Sequence, residues 1–149
     1  MKEHNRMKLA LIDARFGKKS ALSPSADFEA AFVRLRERIL RPIMQDVASE
    51  LRRLGHDPTI DEDAKLHESE RISPCITLHL GLAQRGSKSG YISFGIVVGK
   101  EPGEVLAWLV APPTPFDLGH YAQPDTISEA HVEQLLVDAV EHLFAHSST

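Results

Sequence analysis

The sequence predicts an α+β domain in which a long N-terminal helix, an antiparallel meander of three or four strands and a C-terminal helix follow one another. Two changes in the spacing of apolar residues support this prediction. Apolar residues recur every three or four positions over residues 27–54 and 128–146, and between these segments they alternate with a period of two. The 149 residues suit one domain, in which we expect both helices to pack on one sheet.

The composition is that of a globular protein. Hydrophobic residues make up 42% of the chain and charged residues 26%, which disfavours disordered, collagen-like and disulfide-rich classes. The apolar stretches at 92–98 and 105–111 are far shorter than the roughly 20 residues that a membrane span requires. The first residues lack the cleavage site of a secretion signal, and the single cysteine, Cys75, suits a reducing compartment. We therefore expect a cytoplasmic protein that does not contact a membrane.

The composition of residues 1–24 predicts a basic arm that precedes a single domain at 25–149. The arm holds six lysines and arginines against two acidic residues, and it ends in the breaker-rich run SALSPSAD. We expect it to be flexible or loosely docked, with a short turn or strand over 7–12.

The first helix of the domain is predicted to be unusually long. Ser25 or Asp27 can cap its start, and Gly55 suits the left-handed position that follows a helix. Pro42 lies inside, where it removes one backbone hydrogen bond, so we expect a kink near 38–42 rather than a stop. The apolar face comprises Phe28, Phe32, Leu35, Ile39, Ile43, Val47, Leu51 and Leu54.

Three segments are predicted strands: 75–83 and 91–98 alternate as half-buried strands do, and 104–110 is apolar on both sides. Short connections rich in Gly, Ser and Pro join them, which predicts antiparallel hairpins. Residues 58–66 can add an edge strand, because interspersed charges suit an exposed sheet edge.

The proline-rich stretch 112–125 predicts a surface loop with a short extended piece at 116–118, since proline is excluded from central strands. After it, Ser128 can cap an amphipathic helix that reaches residue 146.

Charge is divided unevenly along the chain. Residues 1–55 hold 12 Lys and Arg against 7 acidic residues, whereas residues 56–149 hold 5 against 14. Within the basic half, Arg34, Arg38 and Arg41 form a helical stripe that Arg52 extends, and these four are the predicted partner-binding residues. Such a stripe can track phosphates, contact an acidic protein surface or remain a solvated helix face. The net charge of −4 disfavours nucleic acid as the partner.

His120, beside Asp117 and Tyr121, is the strongest candidate for acid–base chemistry, because histidine titrates near neutral pH and functional residues favour ordered loops. Cys75 and His79 share one face of a strand but lie about 13 Å apart, too far for a nucleophile and its base. The sequence therefore predicts no catalytic residue with a defined role.

No metal site or cofactor is predicted either. Asp138, His142 and His146 follow each other at helical i, i+4 spacing, which can hold a transition metal, but a solvated polar face is the favoured interpretation. The glycine-containing turns lack the strand–loop–helix context of a phosphate-binding loop.

We therefore expect a non-catalytic cytosolic binding or adaptor protein that acts through protein–protein contacts. A homodimer is expected, because the long helix exceeds what one small sheet can cover and the two halves have opposite charge. A nucleic-acid-associated protein that uses the arginine stripe is the alternative, and a small enzyme with a loop histidine is the third possibility.

Overall fold

The computed structural model describes residues 2–16, 26–62, 74–83, 89–97 and 103–147. It confirms the predicted α+β class, with five strands instead of three or four. The elements, in chain order, are α1 (Glu3–Phe16), α2 (Ala26–Leu35), a π-helical turn (Arg36–Leu40), α3 (Arg41–Arg53), β1 (Thr59–Glu62), β2 (Cys75–His79), β3 (Tyr91–Val97), β4 (Glu104–Ala111), β5 (Thr114–Tyr121), a 3-10 turn (Pro124–Thr126) and α4 (Glu129–Ser147).

A continuous helical segment, here called the long helix, is formed by α2, the π-helical turn and α3. The chain accommodates Pro42 through the π-helical turn that directly precedes it, in which the Arg41 amide donates to the Arg36 carbonyl. Proline has no amide proton to donate, so a shift of hydrogen-bond register at this point lets the helix continue. Gly55 follows the helix at φ +97°, in the conformation that the sequence predicts for it.

The five strands form one antiparallel meander in the order β1-β2-β3-β4-β5. Its inner face is aliphatic and lies against the long helix and α4. The inner-face residues are all buried: Ile76, Leu78, Ile92, Phe94, Ile96, Val105, Ala107 and Leu109. Their neighbours in sequence point to the opposite side, called the outer face here, because side chains alternate along a strand.

The strand β5 corrects the prediction of a loop over 112–125. Residues 114–121 pair along β4 after a turn that contains the cis peptide between Pro112 and Pro113. Proline is compatible with this position because β5 is an edge strand, which needs hydrogen bonds on one side only.

The helix α1 lies against β5 and β3, where the sequence predicts only a short turn or strand over 7–12. Its first turns contribute Glu3, His4 and Met7 to a small crevice over Leu106 and Trp108. Residues 17–24 of the predicted arm lie outside the described residues.

The long helix is covered within the chain itself. Its apolar residues from Phe28 to Leu51 are buried or half-buried against the sheet and α4, while Leu54 remains exposed. Within the described residues, the sheet and α4 together therefore cover the apolar face of this helix except at Leu54. Within the same ranges, none of the helices has the length and apolar character that crossing a bilayer requires.

Two glycines with positive φ provide a matched test of the junction between the long helix and the sheet. A Cβ at Gly81 would lie 2.0 Å from the carbonyl oxygen of Asp57, whereas a Cβ at Gly55 would meet nothing within 4 Å. We expect Gly55→Ala to cost about 1–3 kcal/mol for its backbone conformation alone. Gly81→Ala should cost more, because it adds a collision with backbone. Equal losses in urea denaturation would contradict this description of the junction.

Candidate functional site

The outer face of the sheet carries polar and aromatic side chains. One row crosses all five strands through Asp61, Thr77, Ser93, Trp108 and Asp117. The Thr77 and Ser93 hydroxyls are 2.6 Å apart and share a hydrogen bond. Since these residues are the sequence neighbours of core residues, the core pattern itself places them on this face.

An open cleft of about 540 Å³ lies at the end of the outer face where β1, β2 and β3 meet. His79 and Tyr91 stand side by side there, with ring centroids 5.4 Å apart. The Asp61 carboxylate lies 2.9 Å from His79 Nε2. The described lining residues are Asp57, Thr59, Asp61, His79, Gly81, Gly90 and Tyr91.

The cleft is acidic and aromatic. Asp57 and Asp61 supply two carboxylates, and the described lining contains no lysine or arginine. Asp61 is 71% exposed, so its charge faces solvent and is open to a partner. Burial raises the pKa of the Tyr91 hydroxyl, which therefore stays neutral at physiological pH. This combination favours a positively charged group, which binds to carboxylates and to the face of an aromatic ring.

A second cluster surrounds His120 at the opposite edge of the sheet. The Glu104 carboxylate on β4 accepts a hydrogen bond from Nδ1 at 2.8 Å, and Asp117 accepts one from Nε2. Glu3 of α1 lies beside Asp117 and His120, with one ligand atom of each residue within 4.8 Å of the others.

A β-bulge brings Asp117 and His120 to the same face. Residues three apart in a regular strand point to opposite faces. Here the register shifts between Ala107 and Trp108, so that Trp108 pairs with Asp117 while Leu106 pairs with His120. The extra residue, Leu118, packs against the core. A bulge that redirects a side chain in this way is a common feature beside functional sites.

The two carboxylates raise the pKa of His120 above 6.5, with Glu104 contributing most. His120 therefore holds its proton more firmly than a free imidazole does, which opposes the role of a general base in this state. His120 and Asp117 are candidates from the sequence alone, whereas Glu104 and Glu3 are not, because only the pairing of strands and the docking of α1 bring them there.

His79 and His120 do not converge. They lie on β2 and β5, which are three strand spacings, or about 14 Å, apart in the sheet. The outer face therefore holds two separate clusters. Cys75 belongs to the same face, where it pairs with Gly95.

The arginines of the long helix are largely engaged within the chain. The Arg41 guanidinium pairs with Glu37 and also binds both carboxylate oxygens of Glu62. These contacts raise the pKa of Arg41 and lower the pKa of Glu62. Arg36, with a side chain only 10% exposed, lies 3.3 Å from Glu62 and donates to the Cys75 carbonyl at 3.4 Å. Glu62 thus ties the π-helical turn to the edge of the sheet.

The other predicted partner-binding arginines are dispersed. Arg34 lies 3.9 Å from Asp125, and Arg52 donates to the Pro58 carbonyl at 3.2 Å. Arg38 is exposed. Three of the four arginines of the stripe, namely Arg34, Arg41 and Arg52, therefore contact an acidic side chain or a carbonyl of the same chain. The predicted role of the stripe in binding remains a prediction.

On α4, His142 packs against the Phe116 ring with centroids 4.7 Å apart, while Asp138 accepts a hydrogen bond from Gln134. The side chain of His146 lies outside the described residues. The favoured interpretation of these three residues as a polar face therefore remains a prediction.

No protein-family model, curated protein or solved structure matches this chain. The roles proposed below for the two clusters of the outer face therefore rest on the geometry of this chain alone.

We expect Glu62→Gln to destabilise the fold by about 1–3 kcal/mol, because it leaves the sheltered Arg36 without its carboxylate. Glu37→Gln is the matched control. It removes another carboxylate that pairs with Arg41, but the Glu37 side chain is 44% exposed. The control should cost at most about 1 kcal/mol. Chemical denaturation of both variants checks this, and equal losses would show that Glu62 does not anchor the helix.

The raised pKa of His120 predicts a pH dependence of stability. The folded state binds this proton more tightly than the unfolded state, so the contribution of His120 is complete below pH 6.5 and is lost as pH rises through the folded pKa. The difference in unfolding free energy between the wild type and His120→Gln should therefore shrink from mildly acidic to mildly alkaline pH. Both proteins are measured with a chelator present. A difference that is constant across this range would contradict the assignment.

Proposed function

We propose that this protein is a non-catalytic binding protein that acts through protein–protein contacts, and that the acidic cleft beside His79 is its recognition site for a basic segment. The observation that carries the proposal is that Asp57, Asp61 and Tyr91 line the same open cleft. A lysine or arginine side chain entering there would meet carboxylates and an aromatic ring at once.

The exposure of the cleft supports protein binding over catalysis. Asp61 and His79 are 71% and 40% exposed, so charges there are screened by water and salt. Catalysis by charge stabilisation depends on a water-excluded site, whereas an exposed acidic surface serves to attract and orient a partner. We therefore expect moderate, salt-sensitive binding.

A second copy of the chain is the partner that we propose. Residues 1–55 carry the excess of positive charge, and both Lys2, which directly precedes α1, and Lys8 of α1 are exposed. The cleft lies in the acidic half of the sequence. Two copies related by a twofold axis would make this contact twice, which gives a closed homodimer.

Light scattering tests the dimer at low and high salt. We expect a dimer at low salt that dissociates in high salt and in the variant Asp57→Asn/Asp61→Asn. The control Asp46→Asn/Glu133→Gln makes the same change in charge at two exposed helix positions and should remain dimeric. Charge reversal extends the test: Asp57→Lys/Asp61→Lys and Lys2→Glu/Lys8→Glu should each be monomeric alone and should pair when mixed.

Binding of a lysine-rich peptide, measured by fluorescence anisotropy, separates the two parts of the proposal. If the protein is a monomer that binds this peptide, and the variant Asp57→Asn/Asp61→Asn does not bind it, the result would support the recognition site and contradict the homodimer. A monomer that does not bind it would contradict both. Low-salt DNA binding that disappears in Arg34→Ala/Arg38→Ala/Arg41→Ala would favour the nucleic-acid alternative instead.

A further inference from the structure

We propose that His120, Asp117 and Glu3 form a binding site for a divalent transition-metal ion, with Glu104 as the residue that positions the imidazole. One nitrogen and two carboxylate donors, from β5 and α1, lie within 4.8 Å of one another. The proposal is independent of the acidic cleft, which lies at the opposite edge of the sheet.

Glu104 determines which nitrogen of His120 is available. Its carboxylate lies 2.8 Å from Nδ1, and its side chain is only 16% exposed. A carboxylate in this position holds a proton on Nδ1, so that Nε2 is the atom that can present a lone pair. Histidine ligands of metal ions have this same arrangement, with the second nitrogen donating to a carboxylate or carbonyl.

The Nε2 side of the ring faces Asp117. Asp117 is within hydrogen-bonding distance of Nε2, and Glu3 completes the group from the first turn of α1. Ligand atoms around a metal at bond lengths of about 2.0–2.2 Å are separated by about 3.3 Å. Small side-chain rotations that separate Asp117 from His120 and draw Glu3 closer would therefore reach coordination geometry.

A metal ion bound here would replace a proton of the cluster. Three carboxylates, from Glu3, Glu104 and Asp117, face one imidazolium and the guanidinium of Arg6, which pairs with Glu3 at 2.6 Å. On binding, His120 Nε2 gives its proton to solvent, and its lone pair forms the bond to the metal. The cluster then passes from one excess negative charge to neutrality.

The donor set selects the kind of metal. Imidazole nitrogen with carboxylate oxygen suits Zn²⁺ and its neighbours in the first transition series, whereas Ca²⁺ and Mg²⁺ prefer oxygen donors alone. Three protein ligands leave at least one position for water. Because Glu3 belongs to α1 and the other donors belong to β5, the bound ion would link the start of the chain to the sheet.

A calorimetric titration of the chelator-treated full chain with Zn²⁺ tests the site. We expect one equivalent to bind saturably. Co²⁺ should compete for the same site and should show the visible absorption bands of a Co²⁺ ion with nitrogen and oxygen ligands. His120→Ala should abolish both signals. Glu104→Gln should weaken Zn²⁺ binding about 10–100-fold, which is the effect of losing a carboxylate behind a histidine ligand.

Two further variants keep the test decisive. Asp117→Asn preserves shape and should fold even where His120→Ala does not, so its loss of affinity supports the site independently. His142→Ala removes a histidine of α4 and should leave Zn²⁺ affinity unchanged. Absence of saturable binding would overturn the proposal. Binding that survives Asp117→Asn, or that is lost in His142→Ala, would overturn it as well.

Discussion

Burial of the inner sheet face under the long helix and α4 is the constraint on which the other features depend. Ile76, Leu78, Ile92 and Phe94 are fully buried there, and each one directs its neighbour in the chain to the outer face. Thr77, His79, Tyr91 and Ser93 stand on the outer face for this reason. A shift of one residue in register would exchange the two faces, so the hydrophobic core also determines the composition of the candidate sites.

The fold could be predicted where apolar spacing is regular. The long helix and α4 have a helical period, β2 and β3 alternate, and β4 is apolar on both sides, so the sequence predicts these elements close to where they lie. The strand β5 could not be predicted, because its prolines disfavour a strand except at a sheet edge, and the sequence does not show which strand is the edge. The helix α1 was missed because charged residues interrupt its apolar positions and no capping residue precedes it.

The candidate sites were only partly accessible to the same reasoning. His120 and Asp117 are visible as a pair by residue type, but a regular strand would place them on opposite faces, and only the bulge at Leu118 reconciles them. Glu104 joins them through strand pairing and Glu3 through the docking of α1. Asp61 and His79 likewise meet across β1 and β2. The arginine stripe was visible, whereas its engagement by Glu62 depends on where the long helix crosses the sheet edge.

We propose that the outer face of the sheet, and not the arginine stripe of the long helix, is the binding surface. Backbone NMR of the isotope-labelled chain titrated with a lysine-rich peptide tests it most directly. We expect chemical-shift changes concentrated at Asp57, Asp61, His79 and Tyr91, which diminish as salt is added. Changes concentrated at Arg34, Arg38 and Arg41, with the cleft unaffected, would contradict it.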